Sequence, residues 1–388
     1  MSDFKFANRT NWVLNNNPLS LALDRLKEQH IEILDLTQSN PTECQFKYPD
    51  DLISALNKPE NLSYAPLAKG HVSARTNVVD YYKQKGYTLN SENVFLTSST
   101  SEGYSFLLKL LTNPGDHVLI PKPSYPLFQF LLELHDVSFD YYPLVYEGSW
   151  RIDREAFEGL ITSKTRAIIL VNPNNPTGSF ISSADLAFLN RLCLTHGMAI
   201  ISDEVFLDYK HGASATAQSL VTNDQVPSFV LSGISKILAL PQMKLSWMTV
   251  NGPADFVGKA IERLEIIADT YLSVNTPVQH ALGSWLRHSG NIQEQILERV
   301  KHNLSFLKTQ PLELLTIEGG WYAIIHEPAI DDEEKFILKL LQEEHILVHP
   351  GFFFDFEQEG YLIVSLLPSH EAFQKGINKI SKLLTKMH

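Results

Sequence analysis

Two lysines lie eight residues apart in the segment Ser232–Trp247, which reads SGISKILALPQMKLSW. The segment stands between two apolar runs, SFVLSGI and LSWMTV, so neither lysine looks like a surface charge at a helix end. A lysine amine can form a Schiff base with the carbonyl carbon of a cofactor. Lys236 directly follows the first apolar run, whereas Lys244 precedes the second. The segment therefore raises the question whether one of the two lysines holds a cofactor covalently.

Other polar side chains follow the other apolar runs of this region. In chain order they are Ser98 to Ser101 after VFLT, Tyr125 after DHVLI, Asn175 after RAIILV, Asp203 at the end of MAIISDEVF, and Ser235 with Lys236 after SFVLSGI. In an open parallel sheet, ligands bind beyond the carboxyl ends of the strands. One edge of the predicted sheet would therefore offer hydroxyls, an aromatic ring, an amide, a carboxylate and a lysine.

Each of these groups taken alone has an ordinary structural explanation. Hydroxyls before a helix are usually N-caps, and NPNNPTG is typical of a turn. Taken together, they match what pyridoxal phosphate (PLP) requires: a lysine, a carboxylate for its ring nitrogen, a donor for its ring oxygen and a helix N-terminus for its phosphate. Neither G-x-G-x-x-G nor G-x-x-x-x-G-K-[ST] occurs, so the usual nucleotide-binding signatures are missing.

The composition narrows the class of protein. The 388 residues carry a formal net charge of −12, which disfavours nucleic acid as a partner. With 44% hydrophobic residues and no apolar run long enough to cross a bilayer, we expect no membrane span. The two cysteines, Cys44 and Cys193, exclude a disulfide framework and favour a cytoplasmic enzyme. His345 and His349 lie in HILVHPG, which reads as strand and turn rather than as a metal site.

The order of apolar runs and amphipathic stretches predicts the fold class. From residue 94 to residue 252, short β-rich runs alternate with helical segments, and several runs are apolar on both faces. This pattern predicts an α/β fold with a large, doubly wound, mostly parallel sheet over residues 46–275. A smaller α+β domain is expected from residues 276–388, completed by residues 1–45.

Several blocks of the chain resemble the class I/II family of fold-type I, PLP-dependent aminotransferases, the relatives of aspartate aminotransferase. The resemblance covers nearly the whole chain, and its blocks are ILDLTQSNPT, YAPLAKGHVSAR, TNPGDHVLIPKPSYPLF, VNPNNPTG, ISDEVF, GISKILALPQMKLSWM, EGGWYAII and GYLIVSLL. NPNNPTG followed by SDEV and then SK is the strongest marker. The resemblance implies a PLP-transferase fold of type I and a homodimer with shared active sites.

The same resemblance implies roles for individual residues. Lys236 would be the Schiff-base lysine and would later move the substrate proton, and Asp203 would pair with the pyridinium nitrogen. Asn175 would hydrogen-bond the ring oxygen, and Tyr125 would stack on the ring. The phosphate would be bound by Ser99, Thr100, Ser101, Ser235, Lys244 and, from a second subunit, Tyr64. Substrate contacts are expected at Ser39 and Asn40.

The chain departs from the family pattern at several positions: Ser99, Gln242 and Ser246 replace usual glycines around the phosphate, and three other departures bear on the chemistry. Lys244 stands where an arginine is usual, so it could serve only as a point charge. Phe206 stands at a cofactor-binding position where a tyrosine is usual, and the missing hydroxyl predicts a raised pKa for the Schiff base.

The third departure is Ile363, which stands where the family has the arginine that binds the substrate α-carboxylate. The last arginine of the chain is Arg299, so no shift of alignment restores that group. Either the substrate carries no carboxylate there, or Arg9, Arg75 or a backbone donor at Ser39 and Asn40 takes over.

The leading hypothesis is an aminotransferase that moves an amino group from an amino acid or amine to an oxo acid by a ping-pong mechanism. A PLP-dependent lyase or decarboxylase is the alternative, because fold and cofactor do not decide which bond breaks. A non-catalytic PLP-binding sensor is the third reading, disfavoured because Lys236, Asp203 and Asn175 are all present and no basic patch is visible.

Overall fold

The computed structural model describes residues 5–12, 14, 17–212 and 217–387. The helices are α1 (Pro18–Glu28), α2 (Val72–Gln84), α3 (Thr100–Leu111), α4 (Leu127–Leu134), α5 (Arg154–Gly159), α6 (Ser183–His196), α7 (Ile234–Ile237), α8 (Ala254–Tyr271), α9 (Thr276–Arg287), α10 (Ser289–Leu307), α11 (Glu333–Glu344) and α12 (His370–Leu384). The strands are β1 (Leu34–Asp35), β2 (Val94–Thr97), β3 (His117–Lys122), β4 (Ser138–Tyr146), β5 (Trp150–Ile152), β6 (Thr165–Val171), β7 (Ala199–Asp203), β8 (Ser228–Gly233), β9 (Ser246–Asn251), β10 (Glu313–Leu314), β11 (Tyr322–His326), β12 (Ile346–Leu347), β13 (His349–Pro350) and β14 (Tyr361–Ser365).

An eight-stranded sheet forms the centre of the larger part, in the order β2-β9-β8-β7-β6-β3-β4-β5. The pairs β4-β3, β3-β6, β6-β7 and β7-β8 are parallel, which confirms the predicted α/β class. The sequence did not reveal that β9 runs antiparallel to both neighbours. The link from β8 to β9 holds only the four-residue α7 and a tight turn, which is too little for a parallel crossover.

The central strands of this sheet are buried on both faces, because alternate side chains enter different apolar clusters. Along β7, Ile200 joins the cluster on one face and Ile201 the cluster on the other. Both residues are fully buried. Helices therefore cover the sheet on both sides, as the two-sided apolar runs predicted. One such helix, α6, ends at Gly197, whose φ of 67° is left-handed and stops the helix as expected from the sequence.

A smaller sheet of four strands lies near the C-terminus, in the order β10-β11-β14-β13. The N-terminal segment joins this part, since β1 pairs in parallel with β12 and α1 packs against α11. The two sheets fall within the two predicted domains, although the boundaries at residues 45 and 275 stay a prediction.

Within the described ranges, no helix combines the length and apolar character needed to cross a membrane. The same ranges contain no group of three or more His, Cys, Asp or Glu side chains placed to hold a metal ion. His345 caps α11 in the left-handed region, and His349 lies in β13, so both occur in the strand-and-turn context expected for them.

Candidate active site

A cavity of about 290 Å³ lies at the carboxyl ends of β2, β6, β7 and β8. Most of the residues expected at a cofactor site line it together: Ser39, Ser99, Thr100, Ser101, Tyr125, Asn175, Asp203, Phe206, Ser235 and Lys236. The strands bring these side chains to one edge although they are far apart in the sequence, which is the arrangement that an open parallel sheet favours.

Lys236 lies in α7, directly after β8. Gly233 ends that strand, and a Cβ on it would lie 2.3 Å from Ser246 Oγ, so only glycine allows β9 to approach this closely. The Tyr209 hydroxyl donates a 2.6 Å hydrogen bond to the carbonyl of Lys236 and fixes the backbone. The Lys236 amine lies 4.8 Å from the centroid of the Trp321 ring and 5.3 Å from that of Phe206. Two ring faces thus hold the amine inside the cavity.

Burial lowers the pKa of the Lys236 amine to about 8, although the negative charge of Asp203 acts in the opposite direction. The amine therefore exchanges its proton close to neutral pH. A group with this pKa can both take up and release a proton during turnover.

Asp203 ends β7 and points into the same cavity. The Tyr104 hydroxyl donates to Asp203 Oδ2 at 3.2 Å, and the Val205 amide donates to Oδ1 at 3.2 Å. Burial raises the pKa of the Asp203 carboxyl to about 6, while these two hydrogen bonds and the nearby Lys236 lower it. Asp203 is thus mostly ionised at neutral pH and is placed to pair with a cationic ring nitrogen.

Asn175 carries the clearest sign of a missing ligand, because its buried Oδ1 has no hydrogen-bond partner. The neighbouring Asn174 is satisfied by Pro123 O at 3.0 Å and by Thr177 Oγ1 at 2.9 Å, so this part of the turn is fixed. A buried amide without a partner is costly unless a ligand completes it. Tyr125, which lines the cavity, is 48% exposed, so one side of its ring is free of protein.

The hydroxyl cluster opens helix α3. Ser99 Oγ accepts a 3.1 Å hydrogen bond from the Glu102 amide, so Ser99 is an N-cap, which was the ordinary explanation for this cluster. Thr100 and Ser101 follow in the first turn and also line the cavity. Because helix N-termini favour negative charge, the end of α3 is suited to a phosphate. The role of Ser99 as N-cap is compatible with a phosphate site at the same end of α3.

Three residues with predicted roles do not line the cavity within this chain. Lys244 is exposed and adopts a left-handed conformation with φ of 50°. Tyr64 is 77% exposed. The Asn40 side chain accepts a 3.2 Å hydrogen bond from the Thr42 amide and caps a short turn. Their roles at phosphate or substrate stay predictions.

The two arginines considered as substitutes for the missing carboxylate ligand are engaged elsewhere. Arg9 forms a 2.7 Å ion pair with Asp136 on the surface. Arg75 is buried, with its guanidinium on the Ser91 carbonyl and, at 3.1 Å, on Glu92. Neither lines the cavity, so the idea that Arg9 or Arg75 binds substrate there is not supported by the geometry.

Sequence reasoning missed three aromatic residues of this site: Tyr104, Trp321 and Tyr322. Tyr104 follows Thr100 by one helical turn, which is the one local signal that could have placed it beside the cavity. Tyr322 lines the cavity, and burial raises the pKa of its phenol to about 12, opposed by a hydrogen bond with Ser39. Tyr322 begins β11 of the distant small sheet and Trp321 directly precedes it, so no local spacing indicates either residue.

The chain is similar to known proteins over almost its full length. The family model "Aminotransferase class I and II" matches residues 31–380. A glutamate-pyruvate aminotransferase of Haemophilus influenzae is 27% identical over 375 residues, covering 93% of each chain. An alanine aminotransferase of Mycobacterium bovis is 28% identical, covering 93% of this chain and 87% of that protein. The crystal structure of an Escherichia coli aminotransferase superposes with a TM-score of 0.86 at 25% identity and covers 99% of both chains.

The fold and the match together define the class of protein: a fold-type I transferase of amino groups. The chain belongs to the class I and II aminotransferases, a PLP-dependent family, and it is an aminotransferase. The resemblance drawn from the sequence blocks, the fold type and the enzyme class are thereby confirmed.

Proposed function

We propose that the cavity holds PLP on Lys236 and that the enzyme moves an amino group from a small-molecule donor to an oxo acceptor by a ping-pong cycle. One observation carries the proposal: a half-buried lysine, a half-buried carboxylate and a buried amide oxygen without a partner line the same cavity. The names of the relatives, a glutamate-pyruvate and an alanine aminotransferase, support this reaction class.

The residues of the cavity fit the cofactor. Lys236 would hold its aldehyde carbon, Asp203 its ring nitrogen and Asn175 its ring oxygen, since an amide side chain can turn to present either its oxygen or its nitrogen. Tyr125 would cover one ring face. The first turn of α3 and Ser235 would bind the phosphate. When bound, PLP supplies a ring that withdraws electrons from the carbon bearing the amino group.

Two side chains would then act on the substrate and cofactor: Lys236 would move a proton, and Asp203 would hold a negative charge. With the cofactor bound, the free Lys236 amine would take the proton from the donor's amine-bearing carbon as general base. Its pKa of about 8 allows it to return that proton near neutral pH. Asp203 stays negative beside the ring nitrogen and keeps the ring cationic. The amino group remains with the enzyme when the first oxo product leaves, and the acceptor collects it in the second half.

We also propose a homodimer in which Tyr64 reaches the phosphate site of the other subunit. The loop that carries Tyr64 supports this, since Leu62 in the same loop is 93% exposed and Tyr64 77%. Large exposed apolar side chains next to each other are typical of an interface. The cytoplasmic location stays a part of the proposal.

The test is a half-reaction followed by absorbance. Protein purified with PLP is mixed with an amino donor, the donor is removed, and an oxo acid is added. The proposal predicts that the cofactor absorbance changes with the donor and returns with the acceptor, in wild type but not in Lys236→Ala. Release of ammonia with an oxo acid from a β-substituted amino acid, without the returning step, would instead establish the lyase alternative.

A further inference from the structure

Residue 363 lies inside an apolar cluster on the small sheet. Trp150, Leu315, Ile324, Phe354 and Ile363 form this cluster, which we call the apolar wall. Ile363 is fully buried. Its cross-strand partners are Ile324 on β11 and His349 on β13, so their side chains share one face of the sheet.

The apolar wall stands directly behind the cavity. Tyr322 lies two residues before Ile324 on β11, so both side chains point to the same face. Tyr322 lines the cavity and also packs against the wall. The side of the cavity that faces the small sheet is therefore closed by Tyr322 and Ser39, with the apolar wall behind them.

The cavity has little positive charge to offer a substrate. Among the described residues that line it, Lys236 is the single basic side chain and Asp203 the single acidic one. The role proposed for Lys236 commits its amine to the cofactor, and the cofactor phosphate adds negative charge. Within this chain, Arg299 does not help, because its guanidinium donates to the Leu367 carbonyl at 3.0 Å.

His349 is the titratable side chain directly opposite Ile363 on the neighbouring strand β13. It lies between the rings of Phe353 and Phe354, at 6.1 and 5.7 Å between centroids. Burial lowers the pKa of its imidazole to about 4, although the charge of Asp35 acts in the opposite direction. His349 is therefore neutral at the pH at which Lys236 works, and it cannot balance an anion there.

A carboxylate on the reacting carbon would meet an unfavourable environment at this side of the cavity. It would lose water and gain no charged partner, which is costly for an ion. A hydrogen atom or an alkyl group on the same carbon would lose nothing and would gain contact with Tyr322, which lines the cavity in front of the apolar wall.

We propose that the amino donor of this enzyme is a primary amine with no carboxylate on its amine-bearing carbon. The inference rests on the proposed function and names the donor for it. The side of the cavity formed by Ser39, Tyr322 and the apolar wall is the part that selects this donor. The reaction then converts a primary amine into an aldehyde or ketone while the acceptor gains the amino group, so atoms and electrons balance as in any transamination.

The experiment compares matched donors that differ only in the α-carboxylate. The pairs are L-glutamate with 4-aminobutyrate, L-phenylalanine with 2-phenylethylamine, and L-alanine with ethylamine. The PLP-loaded native chain is mixed with each donor, and kcat/KM for the half-reaction is read from the cofactor absorbance. The inference predicts that the amine is faster than its amino acid in at least two of the three pairs. Amino acids that are faster in at least two pairs overturn it.

The failure of the proposed function gives a different result. If none of the six donors reacts while the protein keeps its cofactor absorbance, then the proposed transamination is wrong, and this inference fails with it.

A direct test of the apolar wall is the variant Ile363→Arg. It should move the ratio of amine to amino-acid kcat/KM toward amino acids by about tenfold or more, the effect of a bidentate charge partner. Ile363→Met, similar in length but uncharged, should leave the ratio within about threefold. Retained circular dichroism and cofactor absorbance establish that each variant folds. If Ile363→Arg does not fold, the donor comparison on the native chain decides alone.

Discussion

The two sides of the cavity differ in polarity. The side formed by the large sheet is polar, and its groups stand at strand ends: the α3 hydroxyls, Asn175, Asp203 and Lys236. The side formed by the small sheet is neutral, with Tyr322 in front of a cluster that contains Trp150 and Ile363. The large sheet therefore carries the groups that could run the reaction, and the small sheet carries the surface that could choose the substrate.

This difference has a physical basis in how each side is stabilised. On the large-sheet side, ionisable groups are buried but paired, as Asp203 is with Tyr104, and burial tunes their pKa values toward neutral pH. On the small-sheet side, the corresponding volume is filled by mostly apolar side chains, and the indole nitrogen of Trp150 among them has no hydrogen-bond partner within the described part of the chain. Removing a functional group on the large-sheet side should abolish turnover. Changing a side chain on the small-sheet side should instead alter which donor the enzyme prefers.

The largest effect is expected from Lys236→Ala. Losing both the covalent attachment and the general base should lower kcat by about 10⁴-fold or more. The control is Lys244→Ala, which removes an exposed charge worth about 1 kcal/mol or less, so cofactor affinity should change by about fivefold at most. Both variants are measured by steady-state turnover and by cofactor titration. An inactive Lys244→Ala enzyme together with an active Lys236→Ala enzyme would reverse the two roles.

Asp203→Asn should lower kcat by on the order of 100-fold, because the cationic ring nitrogen would lose its negatively charged partner. Its matched control is Tyr104→Phe, which removes one hydrogen bond to the same carboxylate and should cost about threefold to tenfold. Measuring kcat of both variants under the same conditions checks that Asp203→Asn loses more activity than Tyr104→Phe. Equal losses would mean that the Asp203 charge has no special role.

The pKa of Lys236 can be measured without the cofactor. Burial lowers this pKa from 10.5 to about 8, so the amine is protonated and unreactive below pH 8 and neutral above it. Acetylation of the cofactor-free protein, followed by mass spectrometry, should give a midpoint for Lys236 near pH 8. Asp203→Asn removes the negative charge that favours the protonated amine, so the midpoint should fall. A midpoint near 10.5, like that of an exposed lysine, would contradict the buried geometry.

The smallest effect is expected from Phe206→Tyr. The Phe206 ring lies 5.3 Å from the Lys236 amine and meets the Trp321 ring edge to face at 4.8 Å. A hydroxyl at this position could donate to the cofactor ring oxygen, so the midpoint of the cofactor absorbance in a pH titration should move to lower pH. We expect a change of less than tenfold in turnover. A midpoint that stays in place would show that Phe206 does not set this pKa.

The sequence predicted the large-sheet side much better than the small-sheet side. Asp203, Asn175 and Lys236 each follow an apolar run, and the rule that ligands bind at strand ends brings them together without further information. The direction of β9 was not predictable from its composition, because a short apolar run reads the same in either direction. Trp321 and Tyr322 reach the cavity only through the packing of the small sheet on the large one, which no local pattern encodes.

The environment of Lys244 could not be predicted from its position in the sequence. Its place in the sequence suggested a phosphate ligand, yet the left-handed turn that follows Pro241 leaves its side chain exposed in this chain. Ile363 is the opposite case. The sequence showed that a charge was missing, but only the structure showed that apolar side chains fill the space around it.

The most direct test of the central claim is to trap the cofactor on the protein. The PLP-loaded enzyme is reduced with borohydride, digested, and its peptides are sequenced by mass spectrometry. The account predicts one modified residue, Lys236, and no modification when the same treatment is applied to Lys236→Ala. Modification at Lys244 instead, or a bound cofactor that leaves Lys236 unlabelled, would contradict it.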